Sequence, residues 1–135
     1  MKKLSPQHLS QKRQEFSSKL QLLKRLYQGV CSDEFLFHGQ PGTVYRKCGK
    51  PQCKCREGGD KRHGPYQIIR VFRDKKNTQV TLKPDEMHFL EMAKRYQRQV
   101  KDRKRIVELQ KELLSMFDEI MKGRTLWDKK DYKER

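Results

Sequence analysis

The chain has 135 residues, 37% of them charged and 33% apolar, and a net charge of +16. So polar a chain cannot fill a large core, and no apolar run reaches the roughly 18 residues of a membrane span, so one small, water-exposed domain is expected. The charge exceeds the magnitude of about 2–8 usual for a small domain and points to a polyanionic partner, nucleic acid before an anionic membrane surface.

The N-terminus, MKKLSPQHLSQKR, is basic and lacks an apolar signal segment. A cytoplasmic protein is expected. In a reducing compartment its four cysteines read as metal ligands more readily than as disulfides.

A helix is expected over residues 5–28. Ser5 suits the N-cap and Pro6 the first helical position, where its missing N–H costs nothing. Leu9, Phe16, Leu20, Leu23, Tyr27 and Val30 form a heptad-like seam, with Lys12, Arg13, Lys19, Lys24 and Arg25 off it. Such a helix must bury its seam, because it is marginal alone. Cys31 precedes the other thiols and reads as a small buried apolar residue rather than a ligand.

Residues 43–82 are expected to form a metal knuckle and a hairpin. Thr43–Lys47 and Pro65–Arg73 have strand composition, and Thr78–Leu82 follows a polar turn candidate at 74–77. A small antiparallel sheet results, with the strand before the cysteines as a third member.

A second helix is expected over residues 84–122, with Pro84 in its first turn and Asp85 and Glu86 at its positive dipole end. Its seam reads Phe89, Ala93, Tyr96, Val100, Val107, Leu114, Phe117 and Met121. Arg103 and Gln110 interrupt it, and Ile106, Leu109, Leu113 and Ile120 widen it. So long a helix has coiled-coil character and could pair with the first helix or with its own copy in a homodimer. Gly123 reads as a cap, and residues 124–135 as a polar tail. The fold class is therefore α+β: helix, small antiparallel sheet bearing the knuckle, long helix.

The charge is unevenly spread. Residues 31–83 carry twelve basic and five acidic residues, whereas residues 84–123 carry nine and eight. A polyanion would be drawn to the first helix and the knuckle.

The knuckle holds Cys48-x4-Cys53-x-Cys55-x7-His63. Three thiols and an imidazole are a structural zinc set. The spacings differ from a Cys-x-x-Cys finger. Gly49, Pro51, Gly58, Gly59 and Gly64-Pro65 supply the bends needed to fold one short loop around one ion. The competing reading packs the thiols as small apolar groups, with His63 capping a turn, but the lysines and arginines beside the cysteines resist burial of the segment. His38 is a reserve ligand; His8 and His88 read as ordinary polar residues. Arg46, Lys47, Lys50, Lys54, Arg56, Lys61, Arg62, Arg70 and Arg73 are the candidate phosphate contacts. Tyr45 and Tyr66 flank the loop and could stack on bases or pack beneath it.

The stretch Arg46-Lys47-Cys48-Gly49-Lys50-Pro51-Gln52-Cys53-Lys54-Cys55, followed by His63-Gly64-Pro65-Tyr66, resembles a bacterial and archaeal family of small domains of unknown function. Members of that family show a Cys-Gly-Lys-Pro-x-Cys-x-Cys cluster, a His-Gly-Pro-Tyr element, a basic hairpin and a long helix. The resemblance covers about residues 43–120. It implies a transposon or phage setting and carries over no reaction. The spacer between Cys55 and His63 is longer and more charged here than in the family.

Two functions are compatible with these features. One is a zinc-stabilised, non-enzymatic nucleic-acid-binding protein, an accessory or regulator of a mobile element, acting on DNA or RNA and on no small-molecule substrate. The other is a helical interaction adaptor whose zinc knuckle is purely structural. An enzyme is disfavoured, because paired carboxylates, a nucleophile-base set or a phosphate loop do not occur at a convincing spacing.

Overall fold

The computed structural model describes residues 4–133. Residues 1–3 and 134–135 lie outside the described residues, and with them the two ends of the expected single domain and the end of its polar tail. The architecture is α+β: helix α1 (Pro6–Gln28), strands β1 (Gln40–Arg46), β2 (His63–Arg73) and β3 (Lys76–Thr81), the long helix α2 (Met87–Arg124) and a short helix α3 (Lys130–Lys133). The chain forms two compact units. One comprises residues 33–100; the other comprises residues 4–32 and 101–133.

In the sheet-bearing unit, the strands lie antiparallel in the order β1-β2-β3. β2 is buried at both Ile68 and Ile69, so the alternation expected along it breaks at its centre. Ile69, Leu82 and Ala93 form the core, with Phe37, Val71, Met87, Phe89 and Leu90 packed around them. The segment before β1 is tied to α2. The Phe37 N–H donates to the Met92 carbonyl at 3.3 Å, and the Phe37 ring meets Phe89 edge-on. Gly39 lies against β2 just before β1 begins; a Cβ there would fall 2.3 Å from the Ile69 side chain.

The hairpin turn is tighter than the sequence predicts. Arg73 pairs with Lys76, leaving only Asp74 and Lys75 in the loop, at φ of 53° and 62°. Two successive left-handed residues match the right-handed twist of the flanking strands. β3 is exposed at all six of its residues.

In the helical unit, α1 begins as expected. Ser5 Oγ accepts the His8 N–H at 3.3 Å, and Pro6 occupies the first turn. Leu9 is buried and Phe16 and Leu23 are half-buried, but Leu20, Tyr27 and Val30 stand exposed. Lys12 and Lys19 take inward positions instead, paired with Glu119 and Glu112. Lysine stems cover apolar surface while their charged ends find partners. On α2 the buried stripe is Ile106, Leu109, Leu113 and Met116. The expected seam of Val107, Leu114, Phe117 and Met121 is exposed. Gly123 is no cap: α2 continues to Arg124, and the missing side chain admits Leu9, whose Cδ2 would lie 2.7 Å from a Cβ. Cys31 is exposed, not buried. Trp127 and Tyr132 are also exposed. No helix among the described residues is long and apolar enough to cross a membrane.

Candidate metal centre

The segment between β1 and β2 folds as a chain of tight bends. Gly49 takes a φ of +78°, and the Cys53 N–H closes a turn onto the Lys50 carbonyl at 3.2 Å. A 3-10 turn over Lys54–Glu57 follows, with Cys53 as its N-cap. Gly58 and Gly59, both at positive φ, lead into a second such turn over Gly59–Lys61. Gly64 has a φ of +142°, and a Cβ there would fall 2.8 Å from the Tyr45 ring. Only glycine satisfies both demands, and the strand therefore starts beside Tyr45 with His63 at its first position.

These bends bring Cys48, Cys53, Cys55 and His63 together. Their four ligand atoms lie within 4.8 Å of one another, so the group could hold a metal ion. Cys53 Sγ is 3.2 Å from His63 Nε2, and Cys48 Sγ is 3.5 Å from Cys55 Sγ. The Cys48 N–H donates to Cys55 Sγ at 3.3 Å. Cys55 is fully buried. A hydrogen bond from the Lys50 backbone, then one from Cys55, lowers the Cys48 thiol to about 6. Cys55 moves the other way: the Cys48 backbone bond favours its thiolate, but burial and the adjoining sulfurs outweigh it. The centre thus already contains a thiolate-prone sulfur beside a buried one.

His38, the reserve ligand, is engaged elsewhere. Its Nδ1 is 2.9 Å from the Tyr96 hydroxyl and its Nε2 is 3.3 Å from the Phe72 carbonyl oxygen. His8 lies against Ser5 and His88 against Phe89.

All nine predicted basic residues are exposed in the sheet-bearing unit. They are not equivalent. Arg56 Nη1 donates to the Pro51 carbonyl at 2.9 Å, and Arg62 Nε donates to the Gly59 carbonyl at 3.2 Å. Both fasten the loop that they decorate, a role that the sequence alone did not signal. Lys61 pairs with Glu57. Arg46 stands over the Tyr66 ring, 5.8 Å from its centroid. Arg70 reaches β1, its Nη1 2.9 Å from where a Gly42 Cβ would lie. Lys47, Lys50, Lys54 and Arg73 project from the surface.

The profile of a family described as a domain of unknown function (DUF6788) matches residues 9–89. The chain belongs to this family. The DUF6788 match takes in most of α1, the whole sheet, the cysteine loop and the start of α2, so it begins earlier and ends sooner than the resemblance at residues 43–120 implies. No curated protein and no solved structure gave a significant match.

Proposed function

We propose that the protein is a zinc-stabilised nucleic-acid-binding protein. The observation that carries this reading is the convergence of Cys48, Cys53, Cys55 and His63 inside a loop whose rim is exposed lysine and arginine. Zinc suits the donor set. Zn–S bonds of about 2.3 Å and Zn–N bonds of about 2.0–2.1 Å imply ligand separations of roughly 3.5–3.8 Å in a tetrahedron, and the Cys48–Cys55 separation of 3.5 Å is close to that. The metal's contribution is to folding, on the order of 10 kcal/mol, in a unit whose core is only a few side chains.

The role is binding rather than catalysis. Four protein ligands close the coordination sphere and leave no position for a reacting water. The positive rim supplies affinity for DNA or RNA through release of condensed counterions. A setting beside a mobile element rests on the motif resemblance alone. Metal analysis of the purified protein, with salt-dependent binding to DNA and RNA, tests the reading. A metal-free protein with no salt-sensitive retention of nucleic acid would overturn it.

The exposed side of the helical unit favours a second reading, an interaction adaptor or homodimer. Val107, Leu114 and Met121 recur every seven residues, with Phe117 between them, and all four are exposed. A groove of about 420 Å³ opens beside Phe16, Phe117 and Met121. Leu114→Lys tests it by sedimentation. A wild-type oligomer that this substitution dissolves supports the helical face as an interface; Lys50→Ala with Lys54→Ala, losing nucleic acid but keeping the oligomer, supports the first reading.

A further inference from the structure

One face of the sheet is packed and the other presents aromatic and cationic groups. Ile69 and Val71 of β2 belong to the core side. Tyr66, Ile68, Arg70 and Phe72 alternate onto the opposite side, where Ile68 is itself buried while Tyr66, Arg70 and Phe72 stand exposed around it. The register places Val44, Gly42 and Gln40 of β1 opposite Tyr66, Ile68 and Arg70, and Gln79 and Asn77 of β3 opposite Arg70 and Phe72. Residues directly opposite in an antiparallel pair share a face.

On that face Phe72 is 61% exposed and Tyr66 39%. The two rings are six residues apart on one strand, roughly 20 Å, a span of several nucleotides. Arg70 lies between them and reaches across to β1 at Gly42. Arg46 stands over Tyr66 and adds charge at that ring. At the other end a recess of about 780 Å³ opens beside Phe72, with Arg70, Asn77, Gln79, Tyr96 and Gln97 in its wall. Its size is within the roughly 300–1,000 Å³ of pockets that receive small organic groups. Its amides offer both donors and acceptors to a base edge.

We infer that this face is a platform for single-stranded nucleic acid, with bases stacked on Tyr66 and Phe72 and one base turned into the recess. The inference rests on the nucleic-acid reading above and narrows it. Duplex bases are stacked on each other and cannot offer their faces to a ring; single strands can, and exposed sheet aromatics are a recurrent way of holding them. The arginines supply the match to the phosphates.

Fluorescence anisotropy with labelled single-stranded DNA, single-stranded RNA and duplex DNA of equal length tests the platform. The wild-type protein is expected to prefer single strands, the DNA and RNA arms showing which sugar it favours. Tyr66→Leu and Phe72→Leu should each weaken single-strand binding by about five- to a hundredfold. Their duplex binding and salt slope should stay unchanged, and Phe72→Tyr should retain affinity. Equal binding of duplex and single strand by wild type, or ring variants that bind as wild type does, overturns the platform while leaving the broader reading standing. Wild-type protein that binds no nucleic acid in a salt-sensitive way overturns both. Circular dichroism of each variant checks that the fold is retained, as expected for side chains so exposed.

Discussion

Lys19 Nζ lies 2.5 Å from a carboxylate oxygen of Glu112, joining α1 to α2. Glu112 also receives Arg105 at 3.5 Å. The hydrogen bond from Lys19, first among the causes, holds the Glu112 carboxyl below its ordinary range. A depressed folded-state value stabilises the fold at pH above the unfolded value of about 4.3. That contribution is lost as the pH falls through the folded value. Glu112→Gln should therefore lower the melting temperature at pH 7 and have no effect at a pH well below 4. The pair is partly solvated, so the loss should be small. Thermal unfolding across pH measures it.

The metal centre makes a second prediction. Cys53→Ser and His63→Ala should each reduce the metal content of the purified protein. A strong chelator should lower the stability of the wild type and leave these variants unmoved. Elemental analysis with thermal melts would decide the matter. Undiminished metal content in the His63 variant would remove the imidazole from the ligand set.

Basic residues at the knuckle should separate into two kinds. Lys50→Ala with Lys54→Ala should weaken nucleic-acid binding and reduce the salt slope by about 0.9 per lost duplex contact, with the melting temperature unchanged. Arg56→Ala and Arg62→Ala should also lower stability, by about 1 kcal/mol each, because each guanidinium satisfies a loop carbonyl. Salt titrations and melts on the same three variants distinguish the two.

The hairpin turn is improvable. Lys75 holds a φ of 62°, which costs a side-chain-bearing residue roughly 1–2 kcal/mol. Lys75→Gly should raise stability by about 1 kcal/mol in denaturant unfolding, the direction opposite to most substitutions.

Gly123→Ala sets two effects against each other. Alanine improves helix propensity by about 1 kcal/mol, but its Cβ would meet Leu9 at 2.7 Å. Overpacking of this kind typically costs about 1–3 kcal/mol, so net destabilisation is expected. Introducing Leu9→Ala in the same chain should recover the propensity gain, as a double-mutant cycle would reveal.

The sequence carried the element order, the fold class and the convergence of the four candidate ligands, because glycine and proline at fixed offsets leave a loop few ways to close. It could not choose between the adjacent apolar stripes of α2. Val107, Leu114 and Met121 fit a seven-residue repeat as well as Ile106, Leu113 and Ile120 do, and in the fold Ile106 and Leu113 are buried while the first set is exposed. A hydrophobicity pattern puts Lys12 and Lys19 off the seam because it does not register a lysine that pairs with a glutamate far along the chain. Residue type alone assigns Cys31 to a core, but the thiol is exposed. The two-residue turn at Asp74–Lys75 carries no signal in the sequence, because neither residue is glycine or asparagine, the usual marks of such a turn.

β3 forms one border of the sheet and is exposed throughout. Such a border is a template for another strand. Lys75 and Lys76 at its start, on a chain of net charge +16, keep identical copies apart by repulsion. That protection weakens as ions shorten the range of the field, to about 3 Å at molar salt. Concentrated stocks should therefore turn cloudy as salt rises, the reverse of the usual remedy for a sticky basic protein.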